Sequence, residues 1–135
     1  MKARVLWETG IAPETREITS AGRLEELLDE LTLQAKQANM PFSVQIELED
    51  DSAILITVGS EISHLEFYSA SHRPPVVVSI SPVSTDEEEI ITFLHGGIPS
   101  TVSRTSCVPI PAARAAIQEY FETGRRPIHI HWSDP

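Results

Sequence analysis

Apolar residues recur along this chain at two spacings, and the switches between them mark its elements. Residues 3–8 alternate and carry Trp7, which predicts a first strand. Residues 9–19 read as loop, with Gly10 and Pro13 as breakers. Leu24, Leu27, Leu28 and Leu31 then fall at i, i+3, i+4 and i+7, the stripe of an amphipathic helix continued by Ala35 and Ala38. Thr19 or Ser20 is placed to cap its start, and Asn39 with Pro41 to end it. The period drops back to two in Ser43–Glu49, where Val44, Ile46 and Leu48 share a face, and in Ala53–Val58, where Ile54, Ile56 and Val58 do. Asp50-Asp51 between them predicts a hairpin turn. His64–Tyr68 sets Leu65 and Phe67 inward and His64, Glu66 and Tyr68 outward.

The remaining chain continues the strand pattern and closes on a second helix. Val76–Ile80 reads as a strand, either a buried centre or an exposed edge able to pair with another copy. Ile90–His95 and Ser100–Arg104 read as a hairpin turned by Gly96-Gly97 and Pro99. A helix from about Pro111 to Thr123 has Ala113, Ala116, Ile117, Tyr120 and Phe121 as its apolar stripe. Pro111 suits a first turn, Gly124 a left-handed cap, and Pro127 prevents continuation. A last strand puts Ile128, Ile130 and Trp132 on one face and His129 and His131 on the other. The order is β-α-β-β-β-β-β-β-α-β. Short connections predict an α+β fold: a mostly antiparallel sheet of about six to eight strands with two helices packed on it. One domain over residues 1–135 is the expectation.

Composition changes this picture in two ways. Ten basic residues against twenty acidic ones give a formal net charge of −10, which disfavours nucleic acid and anionic membranes and favours a basic protein partner. The single cysteine, Cys107, excludes an intrachain disulfide and a cysteine zinc cluster, and it suits a reducing cytoplasm. No apolar run reaches the roughly 20 residues of a membrane helix. The N-terminus reads as a strand rather than a secretory signal.

Candidate chemistry is sparse. His129 and His131 share a strand face as a metal-binding pair can, but His64, His72 and His95 have no motif spacing relative to them. No serine sits in a Gly-x-Ser-x-Gly elbow, and Cys107 in "TSCVPIP" reads as a small buried residue. "HGGIP" reads as a hairpin turn, not a phosphate loop. No cofactor is expected. The acidic stretches, Glu47, Glu49 and Asp50-Asp51 in one place and Asp86-Glu87-Glu88-Glu89 in another, read as solvated or as patches for a basic partner.

The segment "VPIPAARAAIQEYFETGRRPIHIHW" adds a family resemblance. It resembles the closing helix and strand of the immunity-protein family numbered first among those of bacterial polymorphic toxin systems. The matching positions are Ala112, Ala113, Arg114, Ala115, Ala116, Tyr120, Phe121, Thr123, Gly124, Arg126, Pro127 and Trp132, with Trp7 and "ITSAGRLEELLDEL" agreeing near the start. The resemblance implies a non-enzymatic protein that binds a cognate toxin domain and blocks its active site or substrate path. It implies a toxin that attacks nucleic acid, of deaminase or nuclease type. Such toxins are commonly basic, because they bind phosphate. The motif residues read as structural. Contact is therefore expected at Glu47, Glu49, Asp50, Asp51, Asp86, Glu87, Glu88 and Glu89, with Tyr68 as an aromatic anchor. The free protein is expected to be a monomer or a weak homodimer. The rival expectation is a metal- or small-molecule-binding α+β domain using His129 and His131.

Overall fold

The computed structural model describes residues 2–10, 12–70, 76–83 and 89–133. Among them are nine strands and two helices in an α+β arrangement. The strands are β1 (Ala3–Glu8), β2 (Pro13–Ile18), β3 (Phe42–Leu48), β4 (Ala53–Val58), β5 (Ile62–Tyr68), β6 (Val77–Val78), β7 (Ile90–His95), β8 (Ile98–Ser103) and β9 (Cys107–Pro109). The helices are α1 (Ala21–Ala38) and α2 (Ile110–Thr123). The main sheet runs β2-β1-β3-β4-β5-β6 with antiparallel neighbours throughout. β9 pairs with β5 beyond the short β6. The β7–β8 hairpin joins by one parallel pairing, Phe42 with Leu94.

Both helices end as their residues dictate. Ser20 caps α1, its hydroxyl accepting from the Arg23 N–H at 3.2 Å. Asn39 closes α1 in the left-handed region at φ 52°, and Gly124 closes α2 at φ 71°. Leu24, Leu27, Leu28, Leu31 and Ala35 of α1 are buried, whereas Ala38 is exposed. Ala113, Ala116, Ile117, Tyr120 and Phe121 of α2 are buried. Both stripes meet Val44, Ile46, Ile54, Ile56 and Leu65 on one face of the sheet. Each large aliphatic side chain so buried contributes roughly 1.5–3 kcal/mol. The helices are tied side by side: the Arg114 guanidinium donates to Glu25 at 2.7 Å and approaches Asp29 at 3.1 Å, and Gln118 donates to Glu25 at 2.8 Å.

Three segments differ from the sequence expectation. Residues 13–18 form β2 rather than loop. An edge strand needs no apolar alternation, and β2 buries only Ile18 while exposing Pro13 to Glu17. Proline is tolerated at its first position because the strand lies on an edge. β9 was hidden within "TSCVPIP", where three residues suffice to extend the edge of β5. Residues 128–132 do not form a regular strand. The Ile128 N–H donates to Glu119 and the Trp132 indole to the Pro127 carbonyl, both at 2.8 Å, so the chain curls. Ile128 is therefore 80% exposed while Ile130 is buried. Only the end pairs: Trp132 bridges Ser79, and the Ile80 and Ser133 amides donate across at 2.8 Å. That contact covers the edge of β6, where Val77 is buried and Val78 half-buried.

Gly59, after β4, packs against Ala35 of α1. It has φ +101°, and a Cβ there would lie 2.6 Å from the Ala35 Cβ. Gly59→Ala is expected to cost roughly 2–3 kcal/mol, because backbone strain and overpacking coincide. A urea titration reads it as a lower midpoint with unchanged slope; an unchanged midpoint would show that α1 shifts freely.

Candidate partner-binding face

Strand alternation divides the sheet into a helix-covered face and a bare one. On the bare face the register aligns Glu17, Arg4, Glu47, Ala53 and Tyr68 in one row. A second row holds Thr15, Leu6, Gln45, Leu55 and Glu66. The third row, with Ser43, Thr57 and His64, is buried. The β7–β8 hairpin lies across it: Phe93 stands beside His64 with ring centroids 6.4 Å apart, and His95 Nδ1 lies 3.1 Å from Ser43 Oγ. His64 thus points to the outer face as its alternation predicts, yet is buried.

Two hydrogen-bonded chains hold this face. The first crosses β5. His64 Nδ1 lies 3.0 Å from the Ser106 carbonyl oxygen, and Nε2 lies 2.9 Å from Glu66 Oε2. Tyr68 donates to Glu66 Oε1 at 2.7 Å. The hydrogen bond from His64, helped by that from Tyr68, holds the Glu66 carboxyl below its usual range although burial pushes the other way. Burial, then the bond to Glu66, raises the Tyr68 phenol. The second chain joins α2 to the β3–β4 turn. Ser52 Oγ donates to Asp50 Oδ1 at 2.6 Å, and the buried Tyr120 hydroxyl donates to that Ser52 oxygen at 2.6 Å. The Ser52 bonds lower the Asp50 carboxyl pKa. Asp51 completes the turn in the left-handed region at φ 66°.

The candidate contact residues separate accordingly. Glu47, Glu49 and Asp51 line one hollow of about 290 Å³ with Lys2, Arg4 and Glu17. Tyr68 lies two strands from Glu47 in the same row. Glu47 is paired with Arg4, and Asp50 is engaged within its own turn. Glu89 is away from this group, paired with Arg104 at 3.4 Å. Asp86, Glu87 and Glu88 lie outside the described residues. Sequence reasoning missed Glu66 and His64 as a buried pair, and Arg4 as the partner of Glu47. No spacing signal marks them, because cross-strand register decides who meets whom.

The other candidates find no assembled site. His129 and His131 are both exposed on the curled segment, with no strand to align them. Among the described residues no group of three or more His, Cys, Asp or Glu gathers to hold a metal; His72 lies outside them. Cys107 is buried, and burial pushes its thiol up to about 11 against the opposing effect of Arg104. Among the described residues no helix is long and apolar enough to cross a membrane.

A sheet with one face sealed by helices and the other set with anchored polar side chains suits recognition of another macromolecule. The family follows from comparison: the sequence profile described as Immunity protein Imm1 matches residues 12–134, and the chain belongs to that family. No curated protein matches it.

The Glu66 assignment carries a pH test. Its folded pKa is depressed, so its contribution is present above the ordinary carboxyl value of 4.5 and is lost as pH falls below it. Glu66→Gln should flatten the loss of stability as pH falls below 4.5. Denaturant midpoints against pH measure this; parallel curves for the two proteins would refute the pairing.

Proposed function

We propose that the chain is a non-enzymatic inhibitor that binds a cognate bacterial toxin domain acting on nucleic acid, of deaminase or nuclease type. It masks the toxin's active site or substrate path in the cytoplasm of the producing cell. The family membership over residues 12–134 carries this reading. The net charge of −10 supports the choice of toxin, because an enzyme that grips phosphate presents basic residues that an acidic protein meets favourably.

The bare sheet face and the β3–β4 turn are the proposed contact surface. Glu49 and Asp51 are exposed at its rim, Glu47 and Tyr68 lie on it, and Asp50 holds the turn that presents them. Asp86, Glu87, Glu88 and Glu89 form a second proposed patch. Electrostatic attraction of this kind acts chiefly on the rate of association.

The pair Glu49→Lys with Asp51→Asn is chosen because neither acid has an ion-pair partner among the described residues, and Asn tolerates the left-handed backbone at 51. Stopped-flow mixing with a cognate toxin domain should show association slowed about tenfold at low salt, with the difference closing as salt rises. Equal rates at every salt concentration would remove the β3–β4 turn from the interface.

A further inference from the structure

The bare face carries a second hollow, of about 270 Å³, bounded by the β1–β2 edge and the β7–β8 hairpin. Leu6, Gln45 and Leu55 sit side by side in one register row of its lining; Leu6 and Gln45 are half-buried and Leu55 lies buried at the bottom. The Gln45 amide nitrogen donates to Glu47 at 3.3 Å, which leaves its carbonyl oxygen as an acceptor with no partner among the described residues. Glu8 lines the wall, and its carboxylate has neither an ion pair nor a hydrogen bond among those residues. The hairpin tip closes one side. A Cβ on Gly97 would come within 3.1 Å of the Gly10 Cα and 3.6 Å of the Glu8 side chain, so the wall is built by backbone approaching backbone.

Charge distinguishes this hollow from its neighbours. The hollow beside Glu47 contains Lys2 and Arg4, that below β2 contains Arg16 and Arg23, and that beside β9 contains Arg104. The one beside Glu8 has no lysine or arginine in its lining; a second acid, Glu14, lines it, as does His95, whose Nδ1 lies 3.1 Å from Ser43 Oγ. It offers an apolar floor for a hydrocarbon stem and oxygen acceptors for a cationic head. That combination matches arginine, whose stem packs on apolar surface while its planar head donates several hydrogen bonds. A phosphate backbone, which brings negative charge and no cationic head, does not meet that requirement.

We propose that this hollow receives an arginine side chain of the toxin that the chain neutralises, a proposal that rests on the immunity reading above. The arginine stem lies over Leu6, and its head is held by Glu8 and Gln45.

Titration calorimetry with a cognate toxin domain tests this. Glu8→Gln removes the unpaired charge. Thr15→Arg, at an exposed rim position opposite Leu6, places a cation of this chain in the hollow. Glu122→Gln removes an exposed acid from α2 as a control for charge alone. Both hollow variants should weaken binding by about tenfold or more, with the control within about twofold. If wild type binds and the hollow variants bind equally well, the arginine site is wrong and the immunity reading stands. If the control weakens binding as much as Glu8→Gln, overall charge accounts for the effect and the site is again wrong. If wild type itself does not bind, the immunity reading fails and the arginine site fails with it. Circular dichroism of each variant confirms that only surface positions were changed.

Discussion

The hydroxyl of Tyr120 reaches from α2 through the core to Ser52, and much of the molecule is arranged around that contact. Tyr120 is fully buried, edge-on to Phe67 at 5.8 Å, and its donated hydrogen bond leaves Ser52 free to hold Asp50. A buried phenol without a partner would cost a few kcal/mol of lost hydration, so its position and the turn's shape are set together. Through this one bond the helix that carries the family motif also presents the acids of the β3–β4 turn. Motif residues therefore set the shape of a turn far from them in sequence. Arg114 acts in parallel, fastening α2 to α1 through Glu25 and Asp29.

The long, strongly periodic elements were legible in the residues. The two helices, the β3–β4 hairpin and the Gly96-Gly97 hairpin follow from apolar spacing and turn chemistry. What escaped was local structure made stable by neighbours. β2 is polar on nearly every residue and persists because β1 supplies its hydrogen bonds. The segment after Pro127 had a strand's alternation, but bonds to Glu119 and Pro127 curl it. Two-residue periodicity is permission to be a strand; a partner edge is what makes one.

The acidic residues show the same division. Composition revealed that the chain is rich in acids, but not which of them are spent internally. Glu66 is committed to His64 and Tyr68, Asp50 to Ser52, Glu25 to Arg114 and Gln118, and Glu47 to Arg4. Glu8, Glu49 and Asp51 have no ion-pair partner among the described residues. Ion pairs across strands depend on register and hairpin placement, which no local window contains.

The β7–β8 hairpin has a consequence for how such a surface can change over evolutionary time. By lying across the third row of the bare face it turns Ser43, Thr57 and His64 into interior positions, while the first two rows keep exposed or half-buried side chains on either side of the buried Ala53 and Leu55. The open rows occupy strand positions that alternate with the core. Substitutions at their exposed positions can change the surface while the hydrophobic interior stays as it is. The covered row has no such freedom: it is the keel against which the variable deck is rebuilt.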